Sequence, residues 1–166
     1  MSKLTLTAEP GQHELVMTRV FDPPRDRVFK TYTDPALVPR WWGPEGMTTI
    51  VDTIVDTMDV RKGGICRYIQ RDAHGNEYAF NGVYHEVKSP ERLIYTFEFE
   101  PIAGHVLLET ITFEELPDGT TRLIDTGVFQ SVEDRDAMIS TGMEAGATES
   151  MDRLAVLLKE EATITD

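Results

Sequence analysis

The sequence predicts an α+β domain in which a curved antiparallel sheet closes around one long C-terminal helix, with two short helices after the first strand. Three observations lead there. From Met47 to about Gln130 the apolar period is two, punctuated by turn chemistry. From Ser131 onward there is no proline, and apolar residues recur at helical spacing. Ahead of both stands a strand-like run that stops at Asp22-Pro23-Pro24, where proline cannot continue a central strand.

The opening run, His13 to Phe21, alternates and reads as the first strand. After it, Val28, Phe29 and Tyr32 share a helical face up to Asp34-Pro35, so a helix opened by Asp22 or the prolines is expected. A second short helix covers Ala36 to Trp42, broken by Pro39 and closed by Gly43-Pro44-Glu45-Gly46. Six strands follow: Ile50–Met58, Ile65–Asp72, Glu77–Val87, Arg92–Glu98, His105–Leu116 and Thr120–Phe129. Turn signals such as Lys62-Gly63-Gly64, Gly75-Asn76 and Pro117-Asp118-Gly119 separate them, and connections this short favour a meander of seven strands in all. The final segment begins with the capping pattern Ser131-Val132-Glu133-Asp134. It sets Ile139, Met143, Ala147, Met151, Leu154 and Leu158 on one face, which predicts a single long helix.

The 166 residues carry 16 Lys+Arg against 29 Asp+Glu, a formal charge of −13, and 40% are hydrophobic. That composition supports one core, hence a single domain over residues 1–166. The negative charge argues against nucleic acid and anionic lipid as partners. No apolar run approaches the ~20 residues of a membrane span, and the first ten residues lack a signal-type apolar core, so a cytoplasmic chain without membrane insertion is expected. Cys66 is the one cysteine and reads as a small buried hydrophobe. No phosphate-cradling loop, nucleophile elbow, zinc-protease helix or dinucleotide fingerprint occurs, so no cofactor is expected. A cofactor-free enzyme would leave no such motif.

A bent sheet and one helix leave space between them unless large side chains fill it. Gly142, Ala145, Gly146 and Ala147 give room midway along the helix, unless they serve instead to let it lie close on the sheet. Trp41, Trp42, Tyr84, Tyr95, Phe97, Met138, Met143 and Gly146 are the residues expected to shape a cavity, with His85 and Arg67 as its polar anchors. Competing readings stand beside each of these. The aromatics can be ordinary core, one Trp can plug the core while the other covers the surface, and Arg67 can pair across strands with Glu77, Glu86 or Glu98. Alternation puts Phe80, Tyr84 and Glu86 on one face and Val83, His85 and Val87 on the other, without saying which is concave. His85 near Glu98 or Glu109 is the candidate acid–base group. No metal site is expected, because no short His-x-x-x-His or cysteine pair preorganises ligands.

Phe21-Asp22-Pro23-Pro24-Arg25-Asp26-Arg27-Val28-Phe29, Thr33-Asp34-Pro35 and Arg40-Trp41-Trp42-Gly43-Pro44, in that order, form a family-like opening. Gly82-Val83-Tyr84-His85-Glu86-Val87, Pro90-Glu91-Arg92-Leu93, Gly119-Thr120-Thr121-Arg122-Leu123 and Met151-Asp152-Arg153-Leu154 continue it over nearly the whole chain. Together they resemble the activator of heat-shock protein 90 ATPase homologue (Aha-type) family, a branch of the START-like, SRPBCC helix-grip superfamily. The resemblance implies a Bet v-like helix-grip fold whose cavity holds apolar or aromatic small molecules and in some members cyclises or hydrolyses them. The expected function is therefore binding of a small hydrophobic or aromatic ligand, as carrier, sensor or sequestering protein. Two alternatives stand: a cofactor-free cyclase or hydrolase with His85 as base, and an interaction module that activates a chaperone ATPase. Edge strands of the sheet offer a route to a homodimer.

Overall fold

Alternating apolar residues become strands when one face of each can be buried, and here they do so around a single concave surface. The computed structural model describes residues 2–43 and 50–165. Its strands are β1 (Thr5–Thr7), β2 (Glu14–Phe21), β3 (Ile50–Met58), β4 (Ile65–Asp72), β5 (Glu77–Lys88), β6 (Arg92–Phe99), β7 (Val106–Glu115) and β8 (Thr121–Val128). The helices are α1 (Arg25–Thr33), α2 (Val132–Ser140) and α3 (Met143–Thr165). All strands join one antiparallel sheet in the order β1-β2-β8-β7-β6-β5-β4-β3. The meander thus runs β3 to β8 in sequence, and the N-terminal pair completes it against β8. With α3 lying across the concave face, this is the helix-grip α+β fold that the patterning predicts.

Three expectations change. The sheet has eight strands, because Thr5–Thr7 pairs with Val16–Thr18, a run too short for a periodicity to show. The expected helix over Ala36 to Trp42 contracts to one 3-10 turn, Val38–Arg40, with Pro39 inside it. Of the turn expected after it, residues 44–46 lie outside the described residues. Third, the long C-terminal helix is two helices. Ser131 caps α2 by accepting from the Asp134 N–H at 3.0 Å. Gly142 then adopts φ +82°, a left-handed conformation that ends α2 and restarts the chain as α3.

Inward-facing residues form two apolar groups. The larger joins α1, the sheet centre and α3 through Val28, Trp41, Leu93, Ile111, Phe113, Leu154 and Leu158, all at most 1% exposed. The smaller joins Leu15, Leu107 and Phe129 to Met138, Ile139 and Met143 at the α2–α3 junction. Buried Arg135 fixes α2 there, donating to the carbonyls of Glu9 at 2.6 Å and Glu14 at 3.1 Å. Phe97 packs against both groups, and the space between them is where the sheet and helices fail to meet. Among the described residues no helix is long and apolar enough to cross a membrane.

Candidate functional site

That space is a cavity of about 540 Å³ between the concave sheet face and α2–α3. Small residues keep it open: Gly127 on β8, and Gly146 and Ala147 on α3, stand where larger side chains would fill it. Its walls are aromatic. The Trp42 ring lies 4.9 Å from Tyr68, 5.1 Å from Phe80 and 6.0 Å from Phe97, and Phe80 stacks on Phe97 at 5.4 Å. The Trp42 pairs are edge or tilted and Phe80–Phe97 is stacked, arrangements that the ring quadrupole allows. Trp41 is buried, donates its indole N–H to the Thr31 carbonyl at 3.2 Å and packs on Tyr32 at 4.7 Å. Met138, Met143 and Met151 close the helical side with adaptable thioethers.

One part of the lining is acidic. Strand register sets Tyr95 of β6 opposite Glu109 of β7, and Ile111 opposite Asp125 of β8. Glu109 and Asp125 therefore sit diagonally on adjacent strands, both facing inward and both lining the cavity. The Tyr95 hydroxyl donates to Glu109 Oε2 at 3.0 Å. Asp125 is 9% exposed, and no hydrogen bond from a described residue reaches its buried Oδ1. Burial pushes the Glu109 carboxyl up to about 7, against the lowering effect of the Tyr95 bond. Burial, and then the neighbouring Glu109 charge, hold Asp125 well above the usual carboxylate range. The Tyr32 and Tyr95 phenols are raised as well, by burial first and then by the nearby carboxylates. Two buried acids of like charge on adjacent strands retain a proton near neutrality, so the pair can donate or accept one at the cavity surface.

Seven sequence-predicted residues, Trp41, Trp42, Tyr95, Phe97, Met138, Met143 and Gly146, line the cavity. Three do not. Tyr84 is buried at 3% exposure beyond the lining, 5.7 Å from the Tyr95 ring and against Cys66, whose thiol burial pushes up to about 11. His85 is exposed on the convex face, on the far side of the sheet from Glu109. That follows from plain alternation with inward Tyr84; a bulge between Tyr84 and Glu86 then resets the pattern, placing Val87 inward opposite Leu93 and turning Glu86 out to Arg92 at 2.8 Å. Arg67 is also on the convex face, where it clamps Glu100 at 2.8 Å and reaches Asp56 at 3.5 Å. Neither expected polar anchor touches the cavity. The acidic pair takes that place, and its signal is in the alternation: Leu107, Glu109, Ile111, Phe113 and Leu123, Asp125, Gly127, Phe129 each put one carboxylate into an apolar row.

Comparison with known proteins bears on the same architecture. A family model described as Activator of Hsp90 ATPase homolog 1-like protein matches residues 22–159. Among solved structures, a protein of Arthrobacter aurescens is 23% identical with a TM-score of 0.82, over 94% of this chain and 91% of that one. A Rhodobacter sphaeroides protein is 22% identical with a TM-score of 0.83, over 95% and 99% respectively. A Mycobacterium smegmatis protein is 25% identical with a TM-score of 0.81, over 93% and 96%. Comparison with functionally curated proteins finds no match. The likenesses show a shared fold, one compatible with a ligand-binding cavity.

Proposed function

The chain belongs to the Activator of Hsp90 ATPase homolog 1-like family, and from that premise we propose that it binds a small hydrophobic or aromatic molecule between the sheet and α3. It acts in this reading as one cytoplasmic domain, a carrier, sensor or sequestering protein. The observation that carries the reading is the cavity itself. Its volume of about 540 Å³ lies within the ~300–1,000 Å³ of small-molecule sites, and its walls are aromatic rings and thioethers. Trp41, Trp42, Tyr95, Phe97, Met138, Met143 and Gly146 are the proposed contacts.

A fluorescence titration with the uncharged probe N-phenyl-1-naphthylamine tests it. The wild-type protein should enhance the probe's emission saturably at one site per chain. Met143→Trp, which adds an indole at the α2–α3 edge of the cavity, should weaken binding at least about tenfold, the loss of ~1.4 kcal/mol. Equal titrations for the two proteins, at matched circular dichroism, would remove the cavity as the binding site.

A further inference from the structure

The cavity carries a feature that binding of an apolar molecule does not require: two inward carboxylates that pair with no cation among the described residues. Burying a polar oxygen without a partner is costly, and burying a charge is costlier. Glu109 has Tyr95 on one oxygen. Asp125, nine-tenths buried, has an oxygen that no described residue hydrogen-bonds. The groups facing the pair are the Tyr95 hydroxyl from β6 and the Tyr32 hydroxyl from α1, with the Tyr68 phenol beyond them on β4. From α3 the polar residue lining the same cavity is Ser150, which does not titrate. On β2 the residue opposite Asp125 is Met17; Arg19, two residues further along the same inward row, donates through Nη1 to Asp152 at 2.6 Å, lies over the Phe21 ring and keeps a buried Nε with no hydrogen-bond partner among the described residues. The other charge acting on Asp125 is that of Glu109, of like sign. Among the described residues no three His, Cys, Asp or Glu side chains gather as a set of metal ligands.

We propose that Glu109 and Asp125 are the recognition site for a protonated amine, so that the ligand is an apolar or aromatic molecule carrying a basic nitrogen. The inference deepens the reading above and rests on it. Three independent features favour a cation over a neutral hydroxyl or an anion. The polar part of the site is two carboxylates, and cavity-lining Asp125 leaves a buried oxygen without a hydrogen-bond partner among the described residues; an ammonium against the pair supplies hydrogen bonds and the counter-charge. The walls hold the rings of Trp42, Tyr68, Phe80, Tyr95 and Phe97, whose π faces attract a cation. The chain as a whole carries a formal charge of −13, a potential that concentrates cations and repels anions. Binding is an exchange in which the ammonium enters with its proton and the pair releases the proton it shares to solvent. Amine affinity therefore rises as pH increases through neutrality and levels off below the range in which an alkylammonium itself deprotonates, near ~10.

Matched probe pairs test the proposal: 2-phenylethylamine against 2-phenylethanol, tryptamine against tryptophol, and 1-naphthalenemethylamine against 1-naphthalenemethanol. Each is titrated as a competitor of N-phenyl-1-naphthylamine at pH 6 and pH 8. The expected result is that on at least one ring system the amine competes at least about tenfold better than its alcohol at pH 8, with a smaller margin at pH 6. In the double variant Glu109→Gln, Asp125→Asn the two members of that pair should converge. Alcohols equal to amines on every ring system, or no competition from any amine while the uncharged probe binds, would overturn the amine site and leave the cavity reading standing. Failure of the uncharged probe itself to bind would sink both. An amine preference independent of pH, or one that persists in the double variant, would also overturn the assignment.

Discussion

Glu109 and Asp125 hold their protons more tightly in the folded chain than an unfolded chain would, because burial penalises the carboxylate form. The stability they confer is therefore fully present below the unfolded carboxylate range near pH 4 and is lost as pH rises through about 7. Glu109→Gln should leave stability almost unchanged at pH 4.5 and raise it relative to the wild type at pH 8. A rise from 4.5 to about 7 at ~1.4 kcal/mol per unit sets the gain at no more than on the order of 3 kcal/mol. Urea unfolding at the two pH values checks it, and a variant less stable than the wild type at pH 8 would contradict the burial argument. At this scale the sequence was only half readable. Aromatic and methionine positions could be placed from alternation because their faces repeat every second residue. His85 and Arg67 could not, since alternation names two faces without saying which is concave; the bulge after Tyr84 reverses the pattern only for Glu86 and Val87. Asp125 stands out only once a core row is known to be a core row.

The elements themselves were largely legible: six meander strands fall within one residue of their expected bounds, since turns and alternation mark them together. What escaped was conformation at single glycines and pairing of very short runs. Gly142 reads as a small helical residue in sequence, yet its φ of +82° divides the C-terminal segment beside Met138 and Met143. The two arrangements predict opposite signs for Gly142→Ala. In an unbroken helix alanine would stabilise by ~1 kcal/mol, whereas at a left-handed helix end it costs ~1–2 kcal/mol, with no neighbour within 4 Å of the added methyl to alter the balance. Thermal unfolding of this variant should show a lower midpoint than the wild type, and a higher one would argue for a continuous helix. Moving this junction also moves the edge of the cavity, so the variant links an element boundary to the site.

For the molecule as a whole, the order of elements and the family resemblance were enough to define the grip, but the cavity is a property of what does not touch. Sequence lists the small residues Gly127, Gly146 and Ala147 without showing that they face one another across open space. The acidic exterior and the aromatic interior then assign different jobs to different parts: convex-face groups such as Arg67 and His85 engage solvent and neighbouring strands, while the concave face is left for a guest. Native mass spectrometry of the protein incubated with N-phenyl-1-naphthylamine tests this division most directly. The account predicts a single 1:1 adduct on the wild type and on an Arg67→Ala, His85→Ala variant, and its loss from Met143→Trp. No adduct on the wild type, or the same adduct on all three, would contradict it.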